Sequence, residues 1–267
     1  MGRKIFNSGK RCGFDLIQIN QERQYIFPYH YVPEAVEKEA SKTLHWPWGL
    51  HYLAGHEKVL GFINELNPSS LLDLGCGDGR LLREIQHRFP HIELKGVDYS
   101  MQAIKMARIL NPKIEFINCD ITKEINFSQT FDVVTLVEVL EHIPPENVSI
   151  FLLAIKKILK PEGFLIITVP HNNQKLNPKH YQHFSGPSLK HIVGKNFNVE
   201  RVIHFDKSSI MSKMFSRMLG GSERNFIITN RKLNYLLYKS ILNGCMKDFN
   251  EKSCQRLALV AKNSGQF

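Results

Sequence analysis

Between positions 70 and 169, short apolar runs alternate with amphipathic stretches, and this rhythm constrains the chain more than any other feature. Apolar or β-branched runs of four to seven residues suit strands buried on both faces, and the amphipathic segments between them suit crossover helices joining parallel strands. Strands are predicted at 71–74, 93–97, 133–137 and 164–169, with a third-strand end near Cys119-Asp120-Ile121. The segment 80–88 carries Leu81, Leu82 and Ile85, with Phe89 following. Ser100 is placed to cap a helix that buries Ala103, Ile104, Ala107 and Leu110. After Pro144-Pro145, Val148, Phe151, Leu152, Ile155, Ile158 and Leu159 recur at helical spacing, and Pro161 and Gly163 are expected to stop that helix.

The first strand runs into Gly75-Cys76-Gly77-Asp78-Gly79 and then a helix. Such a turn lets backbone approach a ligand closely, because glycine accepts positive φ and presents no Cβ. A dinucleotide-binding turn requires a third Gly or Ala where this chain has Arg80, and its pyrophosphate would meet the carboxylates of Asp73 and Asp78. Two acids instead suit a ligand carrying an ammonium and a sulfonium. Asp98, at the end of the second strand, stands where a carboxylate can accept from both hydroxyls of a ribose, with Tyr99 beside it. Asp120 is placed to accept from an adenine amine while Ile121 packs the ring.

Taken together, 71–80 (Leu-Leu-Asp-Leu-Gly-Cys-Gly-Asp-Gly-Arg), Val97-Asp98, Asp120-Ile121, Glu138-Val-Leu-Glu-His142 and Lys160-Pro-Glu-Gly163 resemble the successive motifs of class I S-adenosylmethionine-dependent methyltransferases, over roughly residues 50–205. The resemblance implies S-adenosylmethionine as cofactor and an α/β fold. That fold is a doubly wound, Rossmann-like, seven-stranded and mostly parallel sheet, with an N-terminal cap and a helical insertion before the last strand. The cofactor-binding set it implies is Asp73, Gly75, Cys76, Gly77, Asp98, Tyr99, Asp120, Ile121 and Glu138. Cys76 is expected only to fill space beside the glycines, since nothing near it lowers a thiol pKa.

Three regions follow: an aromatic-rich cap over 1–50, the cofactor-binding core over 51–205, and a helical lid with the final strand over 206–267. The cap region includes Trp46 and Trp48, with a helix near 54–66 leading into the first strand. Beyond 169 a histidine-rich loop precedes a helix near 185–193, a strand near 199–205 and a basic amphipathic stretch over 210–243; Arg256–Lys262 is expected to return as an antiparallel edge strand. The amphipathic stretch suits either a lid on the sheet or contact with an anionic membrane surface or a lipid-linked acceptor.

Methyl transfer from a sulfonium is an in-line displacement, so the protein contributes alignment and removal of a proton from a hydroxyl acceptor. Ligands of open α/β sheets sit at the carboxyl ends of the strands. There, Glu138, Glu141 and His142 follow the fourth strand, and His171, His180, Tyr181 and His183 follow the fifth. His142 and His183 are singled out as bases, and no metal ligand set is assigned. The expected activity is O-methylation of a small-molecule, glycan or lipid-linked acceptor. Metal-assisted RNA 2′-O-methylation is the alternative, because the Glu-x-x-Glu-His run with a distal histidine resembles that of small-RNA 2′-O-methyltransferases. A partner-binding module that has lost its cofactor is disfavoured by the intact Asp73, Gly75, Gly77 and Asp98.

A net charge of +10 permits RNA, an anionic surface or an anionic substrate, and selects none of them. Five scattered cysteines, with no Cys-x-x-Cys pair, fit a reducing, cytoplasmic setting. No apolar run reaches the roughly 18 residues a transmembrane helix needs.

Overall fold

The structure, a computed structural model, describes residues 16–22, 34–36, 39–42, 46–120, 127, 129–207 and 231–265. Ile121 and positions 210–230 of the amphipathic stretch lie outside the described residues.

In chain order the elements are α1 (Leu16–Glu22), β1 (Glu34–Val36), β2 (Glu39–Lys42), α2 (Trp46–Leu66), β3 (Ser70–Leu74), α3 (Arg80–Arg88), β4 (Glu93–Asp98), α4 (Met101–Leu110) and β5 (Glu115–Asn118). There follow β6 (Phe131–Val137), α5 (Val148–Ile158), β7 (Leu159–Pro170), α6 (Gly186–Gly194), β8 (Asn198–Phe205), α7 (Arg231–Met246) and β9 (Arg256–Lys262). β1 and β2 form a separate antiparallel pair, where sequence periodicity gave no strand signal.

The other seven strands make one sheet in the order β5-β4-β3-β6-β7-β9-β8, parallel except that β9 runs antiparallel to both β7 and β8. The winding direction reverses between the adjacent strands β3 and β6, which opens a crevice at their carboxyl ends. Apolar residues cover both faces. α2, α3, α4 and α7 contribute Leu60, Ile63, Leu82, Ile85, Ile104 and Ile241 to one core, and α5 and α6 contribute Phe151, Leu152, Ile155 and Leu189 to the other. Each such side chain, removed from water, contributes about 1.5–3 kcal/mol of transfer free energy, so the sheet is clamped from two sides.

Four sequence expectations are corrected. α5 ends at Ile158, and Pro161 and Gly163 lie inside β7: Lys160, preceding a proline, is biased to extended backbone, and β7 joins β6 through an irregular register between Phe131 and Val133. The strand Arg256–Lys262 is not at the edge. It is threaded between β7 and β8, which is why its middle five residues are all buried. α2 extends from Leu66 back to Trp46, beyond the predicted start at 54, since Pro47 in the first helical turn forfeits no intrahelical bond. β5 ends at Asn118, one residue before the predicted Cys119.

Ser100 caps α4 as expected, its hydroxyl accepting from the Ala103 amide at 3.2 Å. In α7 the apolar side chains of Ile241 and Cys245 are buried in the core, so this part of the amphipathic stretch packs on the domain.

Candidate methyl-transfer site

The glycine turn leaves β3 with Gly75, Gly77 and Gly79 all at positive φ, of 76°, 55° and 75°. The Gly75 and Cys76 amides both donate to the Val97 carbonyl of β4, at 2.7 and 3.0 Å, which folds the turn back over the sheet. A Cβ on Gly75 would stand 2.4 Å from Val139 Cγ2, so Val139 packs this closely on the turn only because this residue is glycine.

Three acids surround the turn, all but buried. Asp73 accepts from the Thr135 hydroxyl of β6 at 2.7 Å; burial, partly offset by that hydrogen bond, pushes its carboxyl up to about 7. Burial raises Asp78 to about 6. Asp98 accepts from the Gly77 amide at 2.9 Å and the Ser100 amide at 2.8 Å, one on each oxygen, which fixes the plane of its carboxylate. The residues present therefore fit a cationic, ribose-bearing cofactor: a pocket of carboxylates around a glycine-rich turn gains from a sulfonium and an ammonium and repels a pyrophosphate.

Tyr99 follows Asp98, and its carbonyl accepts from the Asn118 side chain at 2.8 Å. Asp120 lies two residues beyond β5, on the same rim. Burial drives the Cys76 thiol well above its usual range, with Asp98 and Asp73 adding to the effect, so it is no nucleophile.

Glu138 closes the carboxyl end of β6 with φ 57°, a left-handed value uncommon for a non-glycine residue. Its carboxylate accepts from the Thr168 hydroxyl at 3.1 Å and lies 3.7 Å from Arg256 Nε. Arg256 also lies 3.7 Å from Asp206, and these acids outweigh its burial and keep it charged. Sequence reading passed over Arg256 and Asp206; the only sign of the former is a cation opening an otherwise apolar strand, and its partners stand 118 and 50 positions away.

The histidine loop 171–184 is pinned back onto the end of β6. The Tyr181 amide donates to the Glu141 carbonyl at 2.9 Å, and Phe184 bridges to His171 beside β7. This brings His142, His180 and His183 into one run. The His142 and His180 rings meet edge-to-face at 4.8 Å, and His180 Nδ1 and His183 Nε2 are 2.8 Å apart. His183 is thus one ring behind His180, while His142 faces Glu141 directly, its Nε2 4.0 Å from Oε1. Burial lowers His142 to about 4 and His180 to about 3, and lowers His183 too, so all three rings are neutral near pH 7. Glu141 is buried, with neither carboxylate oxygen hydrogen-bonded among the described residues, and burial next to Glu138 pushes it far above the carboxylate range.

Residues 34–204 match the family described as a methyltransferase domain. With that match over most of its length, the chain belongs to the S-adenosylmethionine-dependent methyltransferase family, and S-adenosylmethionine is its cofactor. Among curated relatives, the ubiquinone biosynthesis O-methyltransferase of Neisseria meningitidis serogroup A / serotype 4A is 32% identical over 151 residues, covering 53% of this chain and 57% of the relative. The malonyl-[acyl-carrier protein] O-methyltransferase of Halalkalibacterium halodurans is 28% identical over 151 residues, covering 51% and 54%. The chain thus spans little more than half the length of these relatives. The solved N-methyltransferase NodS from Bradyrhizobium japonicum WM9, in complex with S-adenosyl-L-homocysteine, covers 93% of this chain and 99% of its own at a TM-score of 0.59 and 14% identity, a likeness of fold.

Proposed function

We propose that this chain O-methylates a hydroxyl of a small-molecule or lipid-linked acceptor, held at the carboxyl ends of β6 and β7. One observation carries the reading: two neutral imidazoles and a buried carboxylate converge beside Glu138, across the crevice from the glycine turn. S-adenosylmethionine supplies a methyl carbon already activated on sulfonium. Asp98 would hold the ribose, Asp73 and Asp78 the cationic end, and Tyr99, Asp120, Ile121 and Glu138 the rest of the rim. The acceptor hydroxyl would meet the lone pairs of His142 and His180 beside the buried Glu141 and lose its proton to an imidazole, with His183 behind His180 taking the charge toward solvent. This makes His142 the nearer of the two predicted bases and His183 a relay. Both relatives described above are O-methyltransferases, which supports oxygen as the methylated atom.

No helix of the described residues is long and apolar enough to cross a membrane. The four cysteines among those residues form no disulfide with one another, which supports a reducing, cytoplasmic setting.

The test offers the full chain labelled S-adenosylmethionine with a dihydroxylated aromatic, its amino analogue and a short RNA. The expected product is a labelled aryl ether, and His142→Ala lowers kcat by about 100-fold while S-adenosylhomocysteine affinity stays within about threefold. Label only on the amine or only on RNA would overturn the reading.

A further inference from the structure

We infer that Glu251 is a positioning residue for the proton transfer: its carboxylate latches the turn 171–174 and thereby sets the direction of the hydrogen bond between His180 and His183. The inference rests on the O-methylation reading for what the ordered imidazoles do, though not for their order. Glu251 lies in the loop between α7 and β9, whereas the two rings belong to the loop between β7 and α6.

A backbone carbonyl only accepts, so His183 Nδ1, 3.2 Å from the Gln174 carbonyl, carries the hydrogen and its Nε2 presents a lone pair. His180 Nδ1, 2.8 Å from that Nε2, then donates, which leaves His180 Nε2 as a lone pair able to take a proton. A neutral imidazole offers one donor and one acceptor, so two rings in contact have only two orders. In the reverse order His180 Nε2 would itself carry a hydrogen and could accept none. The Gln174 carbonyl therefore decides whether His180 can serve as a base.

That carbonyl is placed by the short turn that starts at His171. The Gln174 amide donates to the His171 carbonyl at 3.0 Å, and the Asn173 amide donates to His171 Nδ1 at 3.0 Å. The turn in turn hangs on the loop before β9: the Asn173 side-chain amide donates to the carbonyls of Glu251, at 2.6 Å, and Cys254, at 2.9 Å, and that of Gln174 donates to the Gln255 carbonyl. The Glu251 carboxylate ties this loop to α6, where Oε1 accepts from the Gly186 amide at 3.1 Å. Because His171 Nδ1 accepts, its Nε2 carries the hydrogen, and it lies 3.7 Å from the same Oε1, buried and with no hydrogen-bond partner among the described residues. A buried N–H left unpaired is costly, and a carboxylate drawn in by less than an ångström satisfies it with a charge-assisted bond. Gly186 admits this packing, since a Cβ there would stand 2.7 Å from His204 Nε2 and 3.8 Å from Glu251 Oε1. Without the carboxylate, α6 and His171 lose their common acceptor, the turn can carry the Gln174 carbonyl away from His183, and both ring orders become available.

Long-range 1H–15N spectra of the purified full chain test the order without any acceptor. The wild type is expected to show hydrogen-bearing Nδ1 and bare Nε2 at His180 and His183, and the reverse at His171. Glu251→Ala is expected to turn His180 and His183 into mixtures of tautomers. It should also lower kcat on the dihydroxylated aromatic by about 10-fold, a part of the 10²–10⁴ that a positioned base contributes, with KM and S-adenosylhomocysteine affinity within about threefold. Glu251→Gln, which keeps a side-chain oxygen for Gly186 and His171, is expected to restore both the order and the rate. Should Glu251→Ala not fold, Glu251→Asp, whose shorter side chain withdraws the oxygen, takes its place with the same expectations. Nε2 hydrogens at His180 or His183 in the wild type, wild-type tautomers in the variant, or a fall in kcat matched by loss of S-adenosylhomocysteine affinity would overturn the inference. The O-methylation reading is judged separately, on the methylated product, and its failure leaves the latch to be judged on the spectra.

Discussion

Replacing Gly75 by alanine tests whether the turn is shaped by its missing side chain. Two costs are visible. At φ 76° an alanine is in the left-handed region, which costs about 1–2 kcal/mol. Its Cβ would also lie 2.4 Å from Val139 Cγ2, an overlap that the tightly held turn can relieve only by moving Val139 or the strand end, at about 1–3 kcal/mol. The sum, about 2–5 kcal/mol, corresponds to a fall in Tm of roughly 4–20 °C at 2–4 °C per kcal/mol. Urea unfolding followed by circular dichroism separates the two terms when Val139→Ala is added. The double variant loses the overlap and keeps the backbone cost, so the cycle should show a favourable coupling of about 1–3 kcal/mol. Additivity within about 0.5 kcal/mol would mean that Val139 does not roof the turn and that the cradle described here is wrong.

The pH dependence of the cofactor-free chain carries a second test. Between its ordinary 3.8 and about 7, Asp73 holds a proton in the native chain that the unfolded chain has released, so unfolding free energy should decline as pH rises through that window. Asp73→Asn should remove a part of the decline that is at most about 4 kcal/mol, measured by urea unfolding at pH 4 to 7.5. Binding of the cationic cofactor at pH 6 should release about one to one and a half protons from Asp73 and Asp78, read from calorimetry in buffers of different ionisation enthalpy; uptake would contradict the placement of the ammonium near these acids. Arg256→Met leaves Glu138 and Asp206 without their shared cation and should cost about 3–5 kcal/mol in the same denaturation assay, with Arg256→Lys losing less. Cys76 should resist iodoacetamide at pH 8 in the folded chain and react on unfolding.

What the sequence disclosed and what it withheld divide along range. The glycine turn, the acid at the end of β4 and the Ser100 cap are local patterns of residue type, set by the positive φ at Gly75 and by the cap's hydrogen bond three residues on, and they could be read directly. The placement of β9 between β7 and β8 could not, because an apolar run of seven residues looks the same at an edge or one strand in. The end of α5 was misjudged because Leu159 continues the helical spacing while Pro161, two residues on, already biases Lys160 to extended backbone. At the candidate site the residue types at 138–142 and 180–183 were legible, but not the hydrogen-bond order. That the Lys179 and Gln174 carbonyls hold His142 and His183, and that His180 rather than His183 stands beside Glu141, depends on how the loop is pinned by Tyr181 and Phe184. Arg256 gave no motif at all, since its partners come from β6 and from the residue after β8.

The central claim is that the glycine turn and Asp98 hold the cofactor, and calorimetric titration of the full chain with S-adenosylhomocysteine and with NAD tests it most directly, with Asp98→Asn alongside. The account predicts micromolar binding of S-adenosylhomocysteine, none of NAD, and a loss of about 10-fold or more in the variant, the worth of a charge-assisted hydrogen bond of about 1.5–3 kcal/mol. Unchanged affinity in a folded Asp98→Asn protein, or binding of NAD in place of S-adenosylhomocysteine, would contradict it.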